Sequence, residues 1–321
     1  MSFETLSKLS LKDLRLKRVK LSKLARREAW WGLFFLSPWI IGFFLWTFGP
    51  MIASLVFSFT DFNLLHREGI RWVGLRNYRL LFTDPNVKTA VSVSLRFAAL
   101  ALPVSILQPI LMAVLLNDER LWARRLFATL FYMPSIVPMV SAVYIWQGIM
   151  NTQTGWINRF LAVLGIAGPD WLNSQVWIYP SLIIIGLWGV GDMMLYTMAT
   201  MQGVPTELYE AAQVDGAGRF RQFCHITLPL ITPVIFYNLI LSSIGIAQYF
   251  LVPFVLKGPS GDPGNATWFY GLHLYKEAFS YSKMGYGATL AWVLFIFVFI
   301  VTVFLFWSSK YWVFYQAGEE K

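Results

Sequence analysis

The sequence predicts an all-α polytopic membrane protein of about six transmembrane helices with both termini in the cytoplasm. Three observations carry that reading. Of 321 residues, 57% are apolar and only 13% charged, with a mean hydropathy of +0.55, too apolar for a water-soluble domain. Six segments supply the roughly 20 apolar residues that cross about 30 Å of hydrocarbon at about 1.5 Å per residue. Lys and Arg are also unevenly placed: with the N-terminus inside, the inner segments carry 16 and the outer segments 9, with Arg96 inside a span.

In chain order, residues 1–28 form a basic cytoplasmic segment and residues 29–321 the transmembrane domain. The basic segment holds nine Lys/Arg interleaved with Leu6, Leu9, Leu14, Leu21 and Leu24. It reads either as an amphipathic helix on an anionic leaflet or as a basic tail that sets topology. The apolar stretch behind it is longer than a signal-peptide core, so the segment is expected to be retained. The spans fall near 31–58, 90–116, 127–149, 178–201, 230–255 and 288–308. Pro50, Pro103, Pro109, Pro134, Pro138 and Pro253 interrupt them, which fits helices packed on neighbours or lining a cavity. Trp30, Trp31, Trp177, Tyr179, Tyr311 and Trp312 lie near span ends, where amphipathic rings prefer the headgroup level.

Between the fourth and fifth spans, residues 205–229 form a polar interruption with its own punctuation. Pro205 or Thr206 starts a helix, Glu207 and Glu210 suit its positive dipole end, and Gly216 ends it. The product is a cytoplasmic helix of about ten residues, or about 15 Å. Ala211 and Ala212 give it a smooth face, and Tyr209 and Glu210 an anchor and a charge.

The run Glu210-Ala211-Ala212, Asp215-Gly216-Ala217 and Ile226-Thr227-Leu228-Pro229 resembles the EAA signature of ATP-binding-cassette importer permeases. Other segments are similar to the carbohydrate-uptake branch of maltose-type and glycerol-phosphate-type permeases. They are Leu36-Ser37-Pro38, Ser58-Phe59-Thr60-Asp61, Val73-Gly74-Leu75-Arg76-Asn77-Tyr78, Phe131-Tyr132-Met133-Pro134, residues 248–259, Ala278-Phe279 and Gly285-Tyr286-Gly287-Ala288. The resemblance covers about residues 30–310. It departs at Lys257-Gly258-Pro259-Ser260-Gly261-Asp262-Pro263, where members of the branch often carry Thr-Gly-Gly-Gly-Pro.

The resemblance implies a type I importer permease fold in a bacterial-type plasma membrane and a non-catalytic role. It further implies a second permease chain, two copies of an ATPase subunit and an extracytoplasmic substrate-binding protein as partners. ATP and Mg would sit on the ATPase, with no cofactor on this chain. The helix at about 205–217 would enter a cleft of one ATPase. Glu207, Tyr209, Glu210, Ala211, Ala212, Asp215, Gly216 and Ala217 would form that coupling element, with Glu210 meeting a basic group and Gly216 making the turn.

Polar groups in the spans are the candidates for the substrate pathway, because each costs free energy until something satisfies it. Asp192 would bind sugar hydroxyls or pair with Arg96 or a partner chain. Gln248 and Tyr249 offer amide and hydroxyl groups. Ser243 does the same beside Asn238 and Ser242, although small polar residues in such helices also cement packing. Trp188 would stack on a pyranose face, and Arg96 can snorkel to the outer boundary.

The composition excludes other classes. The positive charge belongs to the tail and loops, giving no reason to invoke nucleic acid. The single Cys224 precludes an internal disulfide, and His66, His225 and His273 lack metal-ligand spacing. No lysine follows a glycine, so the phosphate-binding G-x-x-x-x-G-K-[ST] loop is missing. An ion-coupled secondary transporter relaying through Asp192 and Arg96 is the competing reading, opposed by the docking loop and the scarcity of ionisable groups in the spans. A membrane enzyme would need paired carboxylates or a nucleophile and base at usable spacing, and neither pattern occurs.

Overall fold

The computed structural model describes residues 22–65, 69–118 and 120–315. Most of the basic segment 1–28, including Leu6, Leu9, Leu14 and Leu21, lies outside the described residues, and only its end, with Leu24, falls in the first helix. By contacts the chain divides into two units, Met1–Val56 and Phe57–Lys321.

The first unit starts its helix earlier than the apolar pattern indicates, because the Ser22 side chain caps the Ala25 N–H at 3.1 Å. Helix α1 (Lys23–Gly42) continues through a π-helical stretch, Phe43–Phe48, into α2 (Gly49–Ser58). Pro38 cannot bond the Phe34 carbonyl one turn back, and the Ser37 hydroxyl donates to that carbonyl at 2.7 Å instead.

In the second unit, α3 (Arg76–Thr83) precedes α4 (Pro85–Asn117), the second span, which opens on an Asp84 cap. The third span is α5 (Arg124–Tyr132), a 3₁₀ turn and α6 (Met139–Ile149), bent by 107° at the Pro134–Pro138 region. A short α7 (Trp156–Val163) follows. The fourth span is α8 (Ile178–Leu187) and α9 (Gly191–Gln202), bent by 54°. Next come α10 (Thr206–Val214), α11 (Arg219–Gln222), a π-helical turn Phe223–Thr227 and α12 (Leu228–Leu230). The fifth span is α13 (Thr232–Ala247) with α14 (Leu251–Lys257). After α15 (Tyr270–Tyr275) the sixth span is α16 (Met284–Ser309). Among the described residues four helices are individually long and apolar enough to cross a membrane, and counting each bent pair as one span brings the number to six.

α4 is the central post, packing on α8, α9, α13 and α15. Along its N-terminal half, Ala90, Val93 and Phe97 share a core with Val143, Ile178, Leu182, Ile185, Phe269 and Leu272. Further on, Ile110 and Ala113 pack with Met201 and Ile231. The bends let one span serve two neighbours: α5 packs on α9, and α6 on α8 and α14.

At the N-terminal end of α4, three segments far apart in sequence interlock. The Asn77 amide donates to the Ser58 and Thr60 carbonyls, each at 2.9 Å, and Ser58 Oγ lies 2.8 Å from the Tyr78 hydroxyl. Thr289 donates to the Ser58 carbonyl at 3.0 Å, and the Gly285 N–H to the Phe62 carbonyl at 2.9 Å. At the opposite end, the Phe314 N–H donates to Thr232 Oγ1 at 2.9 Å, bringing the described C-terminal residues to the start of α13. Thr232 in turn donates to the Pro229 carbonyl at 2.6 Å, which Pro233 cannot serve.

Candidate functional site

The segment between the fourth and fifth spans is built as a capped, exposed outcrop. Pro205 is extended, with φ −56° and ψ 131°, which turns the chain out of α9 and into α10. α10 has nine residues, a length of about 14 Å, with Glu207 in its first turn. Gly216 adopts φ +74°, in the left-handed region that side chains with a Cβ rarely enter. Around it the Asp215, Gly216 and Ala217 N–H groups bond the carbonyls of Ala211, Gln213 and Ala212 at 3.1, 3.0 and 2.8 Å. This is a Schellman closure that satisfies the helix's last carbonyls.

Tyr209 and Ala212, three residues apart, are half-buried, while Glu207, Leu208, Glu210, Ala211, Gln213, Val214 and Asp215 are exposed. The Tyr209 hydroxyl meets Thr227 Oγ1 at 2.8 Å, tethering α10 to the π-helical turn that leads into the fifth span. Gln222 donates to the Ala217 carbonyl at 2.9 Å and fixes the return. Val214 is 89% and Phe220 82% exposed, an apolar pair on the open side of a charged outcrop. Arg219 reaches Asp118 at 3.4 Å in the connection between the second and third spans. The Arg120 N–H, donating at 3.0 Å, together with the Arg219 charge, holds the Asp118 carboxyl below its ordinary range.

A cavity of about 220 Å³ lies between α4, the α8–α9 break and α13. Its polar lining is Ser105, Gln108, Asn238, Ser242 and Tyr249. Pro109 cannot bond the Ser105 carbonyl, and Asn238 Nδ2 donates to it across the cavity wall at 3.1 Å. Gln108 Nε2 likewise donates at 2.9 Å to the Leu187 carbonyl at the end of α8. The Ser242 hydroxyl bonds Asn238 Oδ1 at 3.1 Å. The Tyr249 ring stacks on Phe97 at 4.7 Å and meets the edge of Phe269 at 5.2 Å. Its buried hydroxyl has no hydrogen-bond partner among the described residues.

The two broken spans touch at their breaks. A Cβ on Gly191 would fall 2.7 Å from Tyr132 Cα and 2.5 Å from Ser135 Oγ, so only glycine permits this approach. Trp188, in the α8–α9 break, meets Trp146 edge-on at 6.1 Å.

Of the five pathway candidates read from sequence, Tyr249 lines this cavity and Trp188 adjoins it through Leu187, Gly189 and Val190. Asp192 is exposed in the first turn of α9 and has no ion pair among the described residues, with Arg96 or otherwise. Gln248 is exposed at the end of α13. Ser243 donates to the Leu239 carbonyl at 2.6 Å and faces an apolar cavity bounded by α4 and α16. Ser105 and Gln108 line the cavity without being among those five. Their signal was a polar pair beside Pro109 in an otherwise apolar helix.

Residues 105–312, well over half of the chain, match the family of binding-protein-dependent transport system inner membrane components. The chain belongs to that family. The permease is 35% identical to the probable ABC transporter permease protein YesP of Bacillus subtilis, covering 94% of this chain and 97% of that one. It is 32% identical to the arabinooligosaccharides transport system permease protein AraP of Bacillus subtilis, over 87% and 91% of the two chains. To the trehalose/maltose transport system permease protein MalF of Thermococcus litoralis the figures are 30%, 88% and 93%. Its fold is that of a bacterial ABC transporter involved in the import of the acidic polysaccharide alginate. The TM-score is 0.78 at 23% identity, covering 88% of the permease and 96% of that chain. The permease is therefore a non-catalytic, multi-pass membrane component with the type I importer fold.

Proposed function

We propose that the permease forms half of the translocation pathway of an ATP-driven importer for a carbohydrate, and that α10 transmits the stroke of a separate ATPase. The observation that carries the coupling reading is the capped, exposed α10 tethered by Tyr209 to the root of the fifth span. A helix closed at Gly216 and tied at Thr227 is joined to the turn that leads through α12 into α13, the connection a lever with two positions requires. Glu210 offers an exposed carboxylate to a basic group of the ATPase, and Val214 and Phe220 an apolar footing. ATP and Mg belong to that ATPase, present in two copies beside a second permease chain. An extracytoplasmic binding protein delivers cargo to this assembly in a bacterial-type plasma membrane.

The carbohydrate reading rests on relatives named for arabinooligosaccharides and trehalose/maltose, and on a cavity whose amides, hydroxyls and Tyr249 suit a polyol. The test is co-purification of the assembly in mild detergent with ATPase measurement. Glu210→Ala should remove a charge-assisted contact of about 1.5–3 kcal/mol, lowering ATPase retention and cargo-stimulated hydrolysis together. Wild-type retention and stimulation in that variant would remove α10 from the coupling role.

A further inference from the structure

A second cleft, of about 520 Å³, lies toward the N-terminal end of α4, the extracytoplasmic end in the predicted orientation. α4 contributes Lys88, Thr89, Ser92, Val93 and Arg96 to it. Lys88, Ser92 and Arg96 recur at intervals of four, so they lie along one face of the helix. A polar stripe with an arginine three turns into a membrane span is costly against lipid and natural against a water-filled cleft. Gln175, Tyr179 and Asn265 complete the polar lining, which contains no carboxylate.

Neighbouring cations are engaged elsewhere: Lys257 bonds Asn173, Lys283 pairs with Glu277 at 3.1 Å, and Lys276 lies 4.5 Å over the Trp268 ring. Among the described residues the side chains of Lys88 and Arg96 make no ion pair or hydrogen bond. The cleft therefore presents two uncompensated positive charges about 12 Å apart along the helix. It also presents the Tyr179 ring with its hydroxyl, the Gln175 and Asn265 amides and the Thr89 and Ser92 hydroxyls. A concavity lined by one sign of charge concentrates ligands of the other sign, and a guanidinium grips a carboxylate through two parallel hydrogen bonds.

We propose that this cleft is an entry vestibule selective for acidic saccharides, chains whose sugar units carry carboxylates. Arg96 binds one carboxylate and Lys88 another further out. The Tyr179 ring faces a pyranose, and Gln175 and Asn265 bond its hydroxyls. The proposal rests on the carbohydrate-import reading and names its substrate class.

The test uses the assembled importer with its binding protein in nanodiscs and reads ATPase stimulation by trigalacturonate and by a neutral galactose trisaccharide. Arg96→Gln with Lys88→Gln should raise the half-saturating concentration of trigalacturonate about tenfold and leave the neutral response unchanged. Arg96→Lys should recover part of the loss, and Arg159→Gln, another cation on the outer side in the predicted orientation, should change neither response. Equal loss for both sugars would overturn the proposal and make the cleft a docking face for an acidic partner protein. Stimulation of the wild type by the neutral sugar alone would also overturn it. If neither sugar stimulates an importer that keeps its ATPase, the carbohydrate reading falls and the vestibule with it. Loss of the ATPase on Glu210→Ala bears on α10 and leaves this proposal standing.

Discussion

Replacing Gly191 by alanine tests whether the breaks of the third and fourth spans are locked together. The added methyl would lie 2.7 Å from Tyr132 Cα and 3.1 Å from the Phe131 carbonyl oxygen. Those are backbone atoms, which cannot rotate away as Ser135 Oγ can. Over-packing of this kind costs about 1–3 kcal/mol. At about 2–4 °C per kcal/mol, the figure for large domains, the melting temperature should fall by roughly 2–12 °C. The control is Gly245→Ala, in the last turn of α13 with nothing within 4 Å of the new Cβ. Relief of the glycine penalty, up to about 1 kcal/mol, should leave that variant melting at or above the wild type. The assay is thermal unfolding of the purified importer followed by intrinsic fluorescence, with transport measured alongside. If Gly191→Ala melts with the wild type, the breaks have room to separate and the locked contact is wrong.

Two further outcomes follow from the geometry. Gly216→Ala meets no atom within 4 Å but must hold φ +74°, a strain of about 1–2 kcal/mol. It should weaken the end of α10, visible as faster amide exchange at 214–217 and reduced coupling while the spans melt as before. His273, 1% exposed, sits between the fifth and sixth spans with neither ring nitrogen hydrogen-bonded among the described residues. Asp84 lies 3.7 Å away, too far for a hydrogen bond. Burial lowers its pKa below the ordinary 6.5, outweighing the Glu277 and Asp84 charges. The unfolded chain therefore binds a proton first as pH falls. The stability held by neutral His273 is present above about pH 6.5 and is lost as the pH drops from there toward the folded value. Melting scans between neutral and mildly acid pH should show this slope in the wild type and a flatter one in His273→Gln.

Much of the fold was legible because the bilayer imposes length. The second, fifth and sixth spans stand near their apolar windows, and Pro134 and Pro138 marked the bend of the third. The ends of α10 were legible for the same local reason, since Pro205 and Gly216 act within one turn of the chain. The earlier start of α1 turned on one hydroxyl, Ser22, that hydropathy does not see. Helices α3, α7 and α15 were not foreseen, being short and held by contacts with remote segments, as Asn77 is by Ser58 and Thr60. The cavity was half legible. Tyr249 could be picked from its own span, whereas the role of Ser105 and Gln108 appears only once Asn238 and Leu187 meet them, 133 and 79 residues away.

The central claim is that the open face of α10 meets an ATPase, and site-specific photo-crosslinking tests it most directly. A photoreactive residue replacing Val214, 89% exposed, is compared with one replacing Val163, 85% exposed in the connection between the third and fourth spans. The account predicts a covalent adduct with the ATPase subunit from position 214, changing in yield between nucleotide-free and ATP-bound states, and none from position 163. No adduct from 214, or equal adducts from both positions, would contradict it.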